Sequence, residues 1–214
     1  MTKRIFVTAT NTNIGKTYTT KLLLKEFALR GFKVGVIKPI ETGVVDYPLD
    51  GEELLECVKE LNPKLWSLEV EDIVPITYEL AASPFVASNN TLLDLKKIIS
   101  KIEELEASCN IIIIEGAGGL YVPIDRNNMM IDLISKLEAV TLLVTHCSLG
   151  CINDTLLSKK VLEQRNIAHV VAFNCREDDT SFSQISEPYF SRTGFEVLKV
   201  GDDIEKICDV LYNL

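Results

Sequence analysis

A short run near the start of the chain ends in Gly15-Lys16-Thr17, the close of a phosphate-binding loop. It follows a strand-like segment and opens a helix-like one, which is the setting that this motif requires. Backbone N–H groups at a helix start attract phosphate, the lysine reaches the β- and γ-phosphate oxygens, and the threonine hydroxyl suits Mg²⁺. Thr10 stands where such loops usually open with glycine. The run still predicts a nucleotide site, with an ordinary helix start capped by Thr12 or Asn13 as the alternative.

A carboxylate ends another apolar run, at Glu115 after four isoleucines. An acidic residue there resembles the close of a Walker B strand and suits Mg²⁺, which takes one or two carboxylates together with phosphate oxygens and water. A solvated strand-end glutamate is the alternative. Gly116-Ala117-Gly118-Gly119 follows directly, and so many glycines indicate a backbone that a ligand approaches closely.

A second lysine, Lys38, ends the apolar run at 33–38. Alone it would most simply be a surface charge. Beside a phosphate-binding loop, it could neutralise charge on a phosphoryl group during transfer. Thr42 and Asp50 lie in the segment that follows. Either residue could serve only a turn, but Asp50, just before a predicted helix, is also placed to help hold a metal.

Strand-like and helix-like segments alternate along the chain. Apolar runs predict strands at 4–8, 33–38, 110–115, 139–145 and 168–173, and periodicity predicts helices at 15–30, 51–61, 91–105, 153–165 and 202–214. Gly31 should close the first helix, and Thr91 with Asp94 should form a capping box on the third. The alternation predicts an α/β fold with a mainly parallel sheet, in which ligands bind outside the carboxyl ends of the strands.

Composition narrows the classes of function. The 214 residues carry a net charge of −9 and are 47% hydrophobic, as expected of one globular domain spanning 1–214. The negative charge argues against a nucleic-acid partner and against binding to an anionic membrane. The chain shows neither an apolar run long enough for a membrane span nor a signal peptide, so we expect a cytoplasmic protein.

The cysteines predict no special chemistry. Six are present without a Cys-x-x-Cys pair, and His146 beside Cys147 and Cys151 lacks a second pair of metal ligands. We therefore expect reduced, structural thiols.

Five segments together resemble the dethiobiotin synthetase family: KRIFVTATNTNIGKT at 3–17, GVIKPIETG at 35–43, AASPFVA at 81–87, IIIIEGAGGLYVP at 111–123 and LGCIN at 149–153. The resemblance implies a single P-loop NTPase-like α/β domain that acts as a homodimer. It further implies MgATP, CO₂ and 7,8-diaminopelargonate as reactants. ATP would phosphorylate a carbamate of the diamine, and ring closure would then give dethiobiotin.

The resemblance also implies roles for individual residues. Lys38 and Lys16 would be catalytic, and Thr17, Asp50 and Glu115 would hold Mg²⁺. The implied ATP-binding residues are Asn13, Ile14, Gly15, Lys16, Thr17, Tyr18, Asp50, Glu115, Gly116, Ala117, Gly118 and Asn174. The implied substrate-binding residues are Thr12, Thr42, Gly118, Leu149, Gly150, Cys151 and Asn153, with the loop at 149–153 supplied by the partner subunit.

Some positions depart from the family pattern. Ala9 replaces a glycine, Asn11 and Asn13 replace acidic residues, and Cys175 stands where an aspartate commonly follows the base-reading asparagine. The last departure predicts weak discrimination between ATP and GTP. The main alternative function is a switch ATPase of the MinD/ParA kind, but those proteins carry an early Lys-Gly-Gly pattern where this chain has Thr10-Asn11-Thr12.

Overall fold

The computed structural model describes residues 2–176, 179 and 181–214, and within them parallel strands form the centre of the molecule. A five-stranded sheet has the order β2-β5-β1-β6-β7, and a separate two-stranded sheet pairs β3 with β4. The strands are β1 (Lys3–Ala9), β2 (Val34–Ile37), β3 (Ile40–Thr42), β4 (Ile76–Tyr78), β5 (Ile111–Gly119), β6 (Val140–His146) and β7 (His169–Asn174).

Helices occupy most of the connections between these strands. They are α1 (Lys16–Leu29), α2 (Leu49–Leu61), α3 (Val70–Ile73), α4 (Pro84–Ala87), α5 (Leu95–Glu106), α6 (Met130–Lys136), α7 (Cys151–Gln164), α8 (Phe182–Ile185), α9 (Glu187–Arg192) and α10 (Ile204–Asn213), with a 3-10 turn at Pro63–Leu65. Among the described residues, none of these helices combines the length and apolarity needed to cross a bilayer.

Strand β1 lies at the centre of the large sheet, between β5 and β6. Ile5 is in register with Ile113 on one side and with Val140 on the other, and both pairings are parallel. Since parallel strands end at the same edge, the loops after β1, β2, β5, β6 and β7 gather on one side of the sheet. The predicted α/β fold with a mainly parallel sheet is therefore confirmed.

The run of four isoleucines in β5 is explained by burial on both faces. Ile111 through Ile114 are fully buried, and α1, α5 and α6 all contact the strand. A strand covered by helices on each side needs apolar residues at every position rather than at alternate ones. The same strand continues to Gly119, four residues beyond the predicted end at Glu115.

Several helices begin at other residues than predicted. Helix α5 begins at Leu95 with Asp94 as its N-cap, because the Asp94 carboxylate accepts a hydrogen bond from the Lys97 backbone N–H at 3.1 Å. The Thr91 hydroxyl instead donates to the Ser88 carbonyl at 2.8 Å, so the predicted capping box is wrong. Helix α7 begins earlier than predicted, at Cys151.

Helix α2 also begins earlier than predicted, at Leu49, which places Asp50 in its first turn. The prediction put this aspartate just before the helix. The small sheet of β3 and β4 was not predicted, since each of its strands has only three residues. The end of α1 was predicted correctly: Arg30 is its C-cap, and Gly31 follows with a φ of 85°.

The expectation of reduced thiols is wrong for two cysteines. Cys147, just after β6, and Cys175, just after β7, form a disulfide with their Cα atoms 4.9 Å apart. The bridge was missed because 28 residues separate them, and only the pairing of β6 with β7 brings them together. The other four cysteines are free and buried, and burial raises the pKa of the Cys109 thiol to about 11 and that of Cys208 to about 12.

Candidate active site

The loop between β1 and α1 has the backbone expected of an anion site. Asn13 and Gly15 are left-handed, with φ of 59° and 93°. The Gly15 carbonyl accepts a hydrogen bond from the Thr19 N–H at 3.0 Å, which starts the helix. The N-cap of α1 is Gly15, which has no side chain to cap the helix, so the alternative of an ordinary start capped by Thr12 or Asn13 is not supported. The first-turn N–H groups and the positive end of the helix are therefore available to phosphate.

The missing opening glycine has a structural explanation. The Thr10 N–H still donates to the Val144 carbonyl of β6 at 3.0 Å, so the chain remains paired at this position and turns only later. Gly15 is the glycine that the loop requires. Its φ is positive, which favours glycine. A Cβ at this position would also collide with the Asn174 amide, which donates to the Ile14 carbonyl at 2.8 Å.

Glu115 is the fully buried carboxylate at the centre of the site. Its Oε1 accepts hydrogen bonds from the Thr17 hydroxyl and from the Lys38 ammonium, each at 2.9 Å. Its Oε2 is buried without a hydrogen-bond partner among the described residues. An unpartnered buried carboxylate oxygen is costly. The atom fits a hard cation, and the oxygens of Thr17, Glu115 and nearby Asp50 are the donors that Mg²⁺ prefers.

Lys38 follows β2 and points into the same cluster with only 4% of its surface exposed. It forms ion pairs with Asp50 and Glu115. Burial by itself lowers the pKa of Lys38, but the two carboxylates outweigh burial, and the pKa is raised above its ordinary value. The ammonium is therefore held as a permanent positive charge rather than as a base.

The pKa of Lys16, the lysine of the phosphate-binding loop, is shifted in the opposite direction. Burial lowers its pKa, Glu115 opposes that shift, and the charge of Lys38 adds to it. The residue is 8% exposed and makes no ion pair among the described residues. A phosphate chain beside it would favour its charged form, so Lys16 is arranged to receive an anion.

A cavity of about 610 Å³ opens above this cluster. It is lined by many of the predicted phosphate, metal and substrate residues, and also by three residues that the predictions omitted, Ile40, Glu41 and Arg176. Its predicted lining residues are Thr12, Asn13, Gly15, Lys16, Thr17, Lys38, Thr42, Asp50, Gly116, Ala117 and Gly118. Glu115 is fully buried and is not one of the lining residues. Glu41 stood inside the quoted segment 35–43 and Arg176 directly follows Cys175, so both could have been considered.

Other predicted residues lie outside this cavity. Asn174 and Ile14 line a second cavity of about 410 Å³ that shares Thr12, Asn13 and Arg176 with the first. Tyr18 is half exposed on α1. The predicted substrate loop, Leu149, Gly150, Cys151 and Asn153, does not line the main cavity within this chain. It forms the start of α7, where Leu149 is 81% exposed and Cys151 is fully buried.

The glycines after Glu115 have two different origins. A Cβ at Gly116 would lie 2.7 Å from the Phe6 ring, and one at Gly119 would lie 3.1 Å from the Ala9 carbonyl oxygen. These two glycines let β5 pack closely against β1, and this packing needs glycine whether or not a ligand is bound. Gly116 and Gly118 both line the cavity, and the φ of 66° at Gly118 turns the backbone there. Packing of β5 against β1 therefore accounts for part of the run, and close approach of a ligand to the other part stays a prediction.

Comparison with known proteins gives this geometry a context. A family model described as an AAA domain matches residues 3–207. The ATP-dependent dethiobiotin synthetase BioD of Sulfurovum sp. is 47% identical over 186 residues, which cover 87% of this chain and 89% of that protein. The enzyme of the same name from Wolinella succinogenes is 34% identical over 212 residues, 98% of each chain.

Solved structures of low identity share the fold. A ParA family ATPase from Chlorobium tepidum matches with a TM-score of 0.53, covering 99% of this chain and 92% of that chain at 13% identity. At such identity the likeness shows the arrangement of strands and helices alone. It therefore confirms the P-loop type of fold without favouring the switch-ATPase interpretation, whereas the sequence relatives carry the synthetase name.

Proposed function

Because the chain belongs to the dethiobiotin synthetase family, we propose that it is an ATP-dependent ligase that converts 7,8-diaminopelargonate and CO₂ into dethiobiotin. The observation that carries this function is the identity to the two named synthetases over nearly their whole lengths. The site agrees with it, since buried cations and carboxylates surround the phosphate-binding loop. We further propose that residues 1–214 act as one domain and that the protein works in the cytoplasm.

Three bond-forming steps follow from this function. One amine of the substrate attacks CO₂ and loses a proton, which gives a carbamate. A carbamate oxygen then attacks the γ-phosphorus of ATP, and ADP departs. The second amine attacks the carbonyl carbon, loses a proton and displaces phosphate, which closes the five-membered ureido ring. Each step develops or moves negative charge on oxygen, so catalysis consists mainly of positioning and charge neutralisation.

Two lysines are placed to neutralise that charge. Lys16 lies in the first turn of α1, where the β- and γ-phosphates of ATP would sit. We propose that Lys38, which remains protonated, stabilises the carbamate and the phosphoryl oxygens during transfer. The Thr42 hydroxyl faces the same cavity and is our candidate contact for the diamine, together with Thr12 and Gly118.

We propose Mg²⁺ as the metal of the site. Thr17, Asp50 and Glu115 would hold it, and the unpartnered Oε2 of Glu115 supports this choice. When bound, Mg²⁺ would offset the negative charge of the β- and γ-phosphates.

We also propose a homodimer in which the start of α7 completes the site of the partner subunit. Leu149, just before α7, is 81% exposed, and Leu157, in the middle of that helix, is 61% exposed. Exposed large apolar side chains of this kind are suited to a protein interface. The N-cap of α7, Gly150, supplies no side-chain cap. The Cys151 N–H donates to the Ser148 carbonyl at 3.1 Å, so we propose that the next N–H groups of the first turn face the carboxylate tail of the substrate. Asn153 and the backbone from Leu149 to Cys151 would supply these contacts.

A product assay tests the reaction. The protein is incubated with MgATP, bicarbonate and 7,8-diaminopelargonate, and mass spectrometry follows the replacement of two hydrogens by a carbonyl alongside ADP release. Diamine-dependent product with matching ADP supports the function. ADP release that does not depend on the diamine would point to a switch ATPase instead.

A mixing experiment tests the shared site. Lys38→Ala and Asn153→Ala should each be inactive as homodimers. Lys38→Ala lacks the ammonium that stabilises the phosphoryl oxygens, and Asn153→Ala lacks the contact to the substrate. If one site takes Lys38 from one subunit and Asn153 from its partner, mixed dimers contain one intact site and regain activity. Absence of any recovery in verified heterodimers would exclude the shared site.

A further inference from the structure

Helix α2 begins without a cap from its own sequence. Its N-cap is Pro48, whose side chain offers no hydrogen-bond acceptor. The missing acceptor comes from another element: Glu41 on β3 accepts hydrogen bonds from the Asp50 N–H at 3.1 Å and from the Gly51 N–H at 3.0 Å. These are the second and third residues of the helix, the N–H groups that an N-cap side chain normally serves.

The contact between Glu41 and the start of α2 is close and buried. Glu41 is only 7% exposed although it is charged, and Gly51 is buried beside it. A Cβ at Gly51 would lie 3.4 Å from Glu41 Oε2 and would collide with Val74. The glycine therefore lets the start of α2 pack closely against Val74, and this packing leaves the helix start little room to shift beside Glu41.

Asp50 is held from two directions as a result. Glu41 holds its backbone N–H, and Lys38 holds its side chain. Lys38 in turn binds Glu115, whose other partner is the Thr17 hydroxyl. A continuous chain of contacts thus runs from Glu41 through Asp50 and Lys38 to the proposed metal ligands. Half of the Asp50 side chain is exposed, so without the fixed backbone its carboxylate would sample more positions.

We propose that Glu41 is a positioning residue of the reaction, which fixes the first turn of α2 so that the Asp50 carboxylate faces Lys38 and the metal site. This inference rests on the proposed function, because the role of Asp50 as a metal ligand is part of it. Partners that orient metal ligands typically matter about 10- to 100-fold for metal affinity or activity when they are removed.

The test measures metal binding separately from turnover. Mn²⁺ binding in the presence of ADP is followed by electron paramagnetic resonance for the wild type, Glu41→Ala and Glu41→Gln. We expect Glu41→Ala to weaken Mn²⁺ binding and to lower kcat, each by about tenfold, with the KM for the diamine unchanged. Glu41→Gln retains one acceptor oxygen, so its loss should be smaller. Glu56→Gln, an exposed charge on the same helix, is the control and should change neither.

A double-mutant cycle with Asp50→Asn shows whether Glu41 acts through Asp50. If it does, Glu41→Ala costs much less Mn²⁺ affinity in the Asp50→Asn background than in the wild type. If Glu41→Ala does not fold, Glu41→Gln takes its place in the cycle. Equal losses in both backgrounds, or a lower Tm with unchanged metal affinity and kcat, would overturn the proposal and leave Glu41 as a helix cap. A raised KM for the diamine alone would overturn it in favour of a substrate contact.

The Mn²⁺ measurement also separates this inference from the proposed function. If the wild-type protein makes no product but Glu41→Ala still loses metal affinity through Asp50, the proposed reaction fails and the positioning role stands. If product forms but the cycle shows no coupling, the positioning role fails and the reaction stands.

Discussion

The phosphate end and the base end of the proposed nucleotide site are built by different means. At the phosphate end, Lys38, Asp50, Glu115 and Thr17 form one network of ion pairs and hydrogen bonds. At the base end, the Asn174 amide makes a single hydrogen bond to the phosphate-binding loop, and the neighbouring Cys175 is tied to Cys147 by a disulfide. One end is organised by charge and the other by covalent and amide contacts.

This difference separates what each end can do. A buried network of charged groups stabilises the charge that develops in the transition state, because its groups are already oriented. An amide and a disulfide hold backbone in place but offer little that would distinguish one base from another. We therefore expect catalysis to depend steeply on the phosphate end, and base selection to be weak at the other.

Removing the cation at the phosphate end should have the largest effect. Lys38→Ala is expected to lower kcat by about 1,000-fold, since it removes a preorganised charge from the transferring group. Binding of a fluorescent ATP analogue should persist, because Lys16 and the loop remain. Lys33→Ala, an exposed lysine before β2, serves as the control. A loss of less than about tenfold would show that the network does not carry the chemistry.

Opening the disulfide at the base end should affect stability more than turnover. The bridge joins two cysteines whose sequence separation is 28, and so it restricts the unfolded chain. Cys147→Ser is therefore expected to lower the free energy of unfolding by about 3 kcal/mol. Urea unfolding measures this loss, with the buried, unbridged Cys57→Ser as the matched control. Thiol titration of the denatured, unreduced protein should find four free thiols. Six thiols would contradict the bridge.

The ion pairs of Lys38 also predict a dependence of stability on pH. The folded-state pKa of Lys38 is raised above the ordinary value of 10.5. Its stabilising contribution is therefore present in full below pH 10.5 and is lost as the pH rises through the folded-state pKa. The difference in unfolding free energy between wild type and Lys38→Met should shrink over that range. A difference that grows with pH would mean that burial, and not the carboxylates, controls this lysine.

The smallest effect should be the choice of nucleotide. Cys175 is held in the disulfide, so position 175 supplies no carboxylate that could select the base. GTP should support turnover within about tenfold of ATP, a discrimination of ~1.4 kcal/mol. Steady-state rates with each nucleotide provide the comparison. A GTP rate below about one percent of the ATP rate would show that the base end is selective after all.

The sequence predicted which elements carry the residues of the proposed phosphate end, because these residues lie in local motifs. Gly15-Lys16-Thr17 lies between a strand and a helix, and Glu115 follows a run of isoleucines that favours a buried strand. The parallel sheet then brings these segments to one edge without further information. The contact between Lys38 and Glu115, 77 residues apart, follows from the pairing of β2 with β5.

The features that escaped prediction depend on tertiary packing. The capping of α2 by Glu41 requires β3, a strand too short to be recognised from its sequence. The disulfide requires β6 and β7 to be neighbours, and cysteine spacing alone does not indicate that. The packing of Gly116 against Phe6 likewise becomes visible only once β5 lies beside β1.

The most direct test of the account follows an oxygen atom. If the nucleotide phosphorylates a carbamate, one carbamate oxygen must leave with the phosphate when the ring closes. With CO₂ labelled by heavy oxygen, the phosphate released by the wild-type protein in diamine-dependent turnover should carry one labelled oxygen per product. The Lys38→Ala variant should lose both this transfer and the product. Phosphate labelled only from heavy-oxygen water would mean that ATP is simply hydrolysed, and would contradict the proposed reaction.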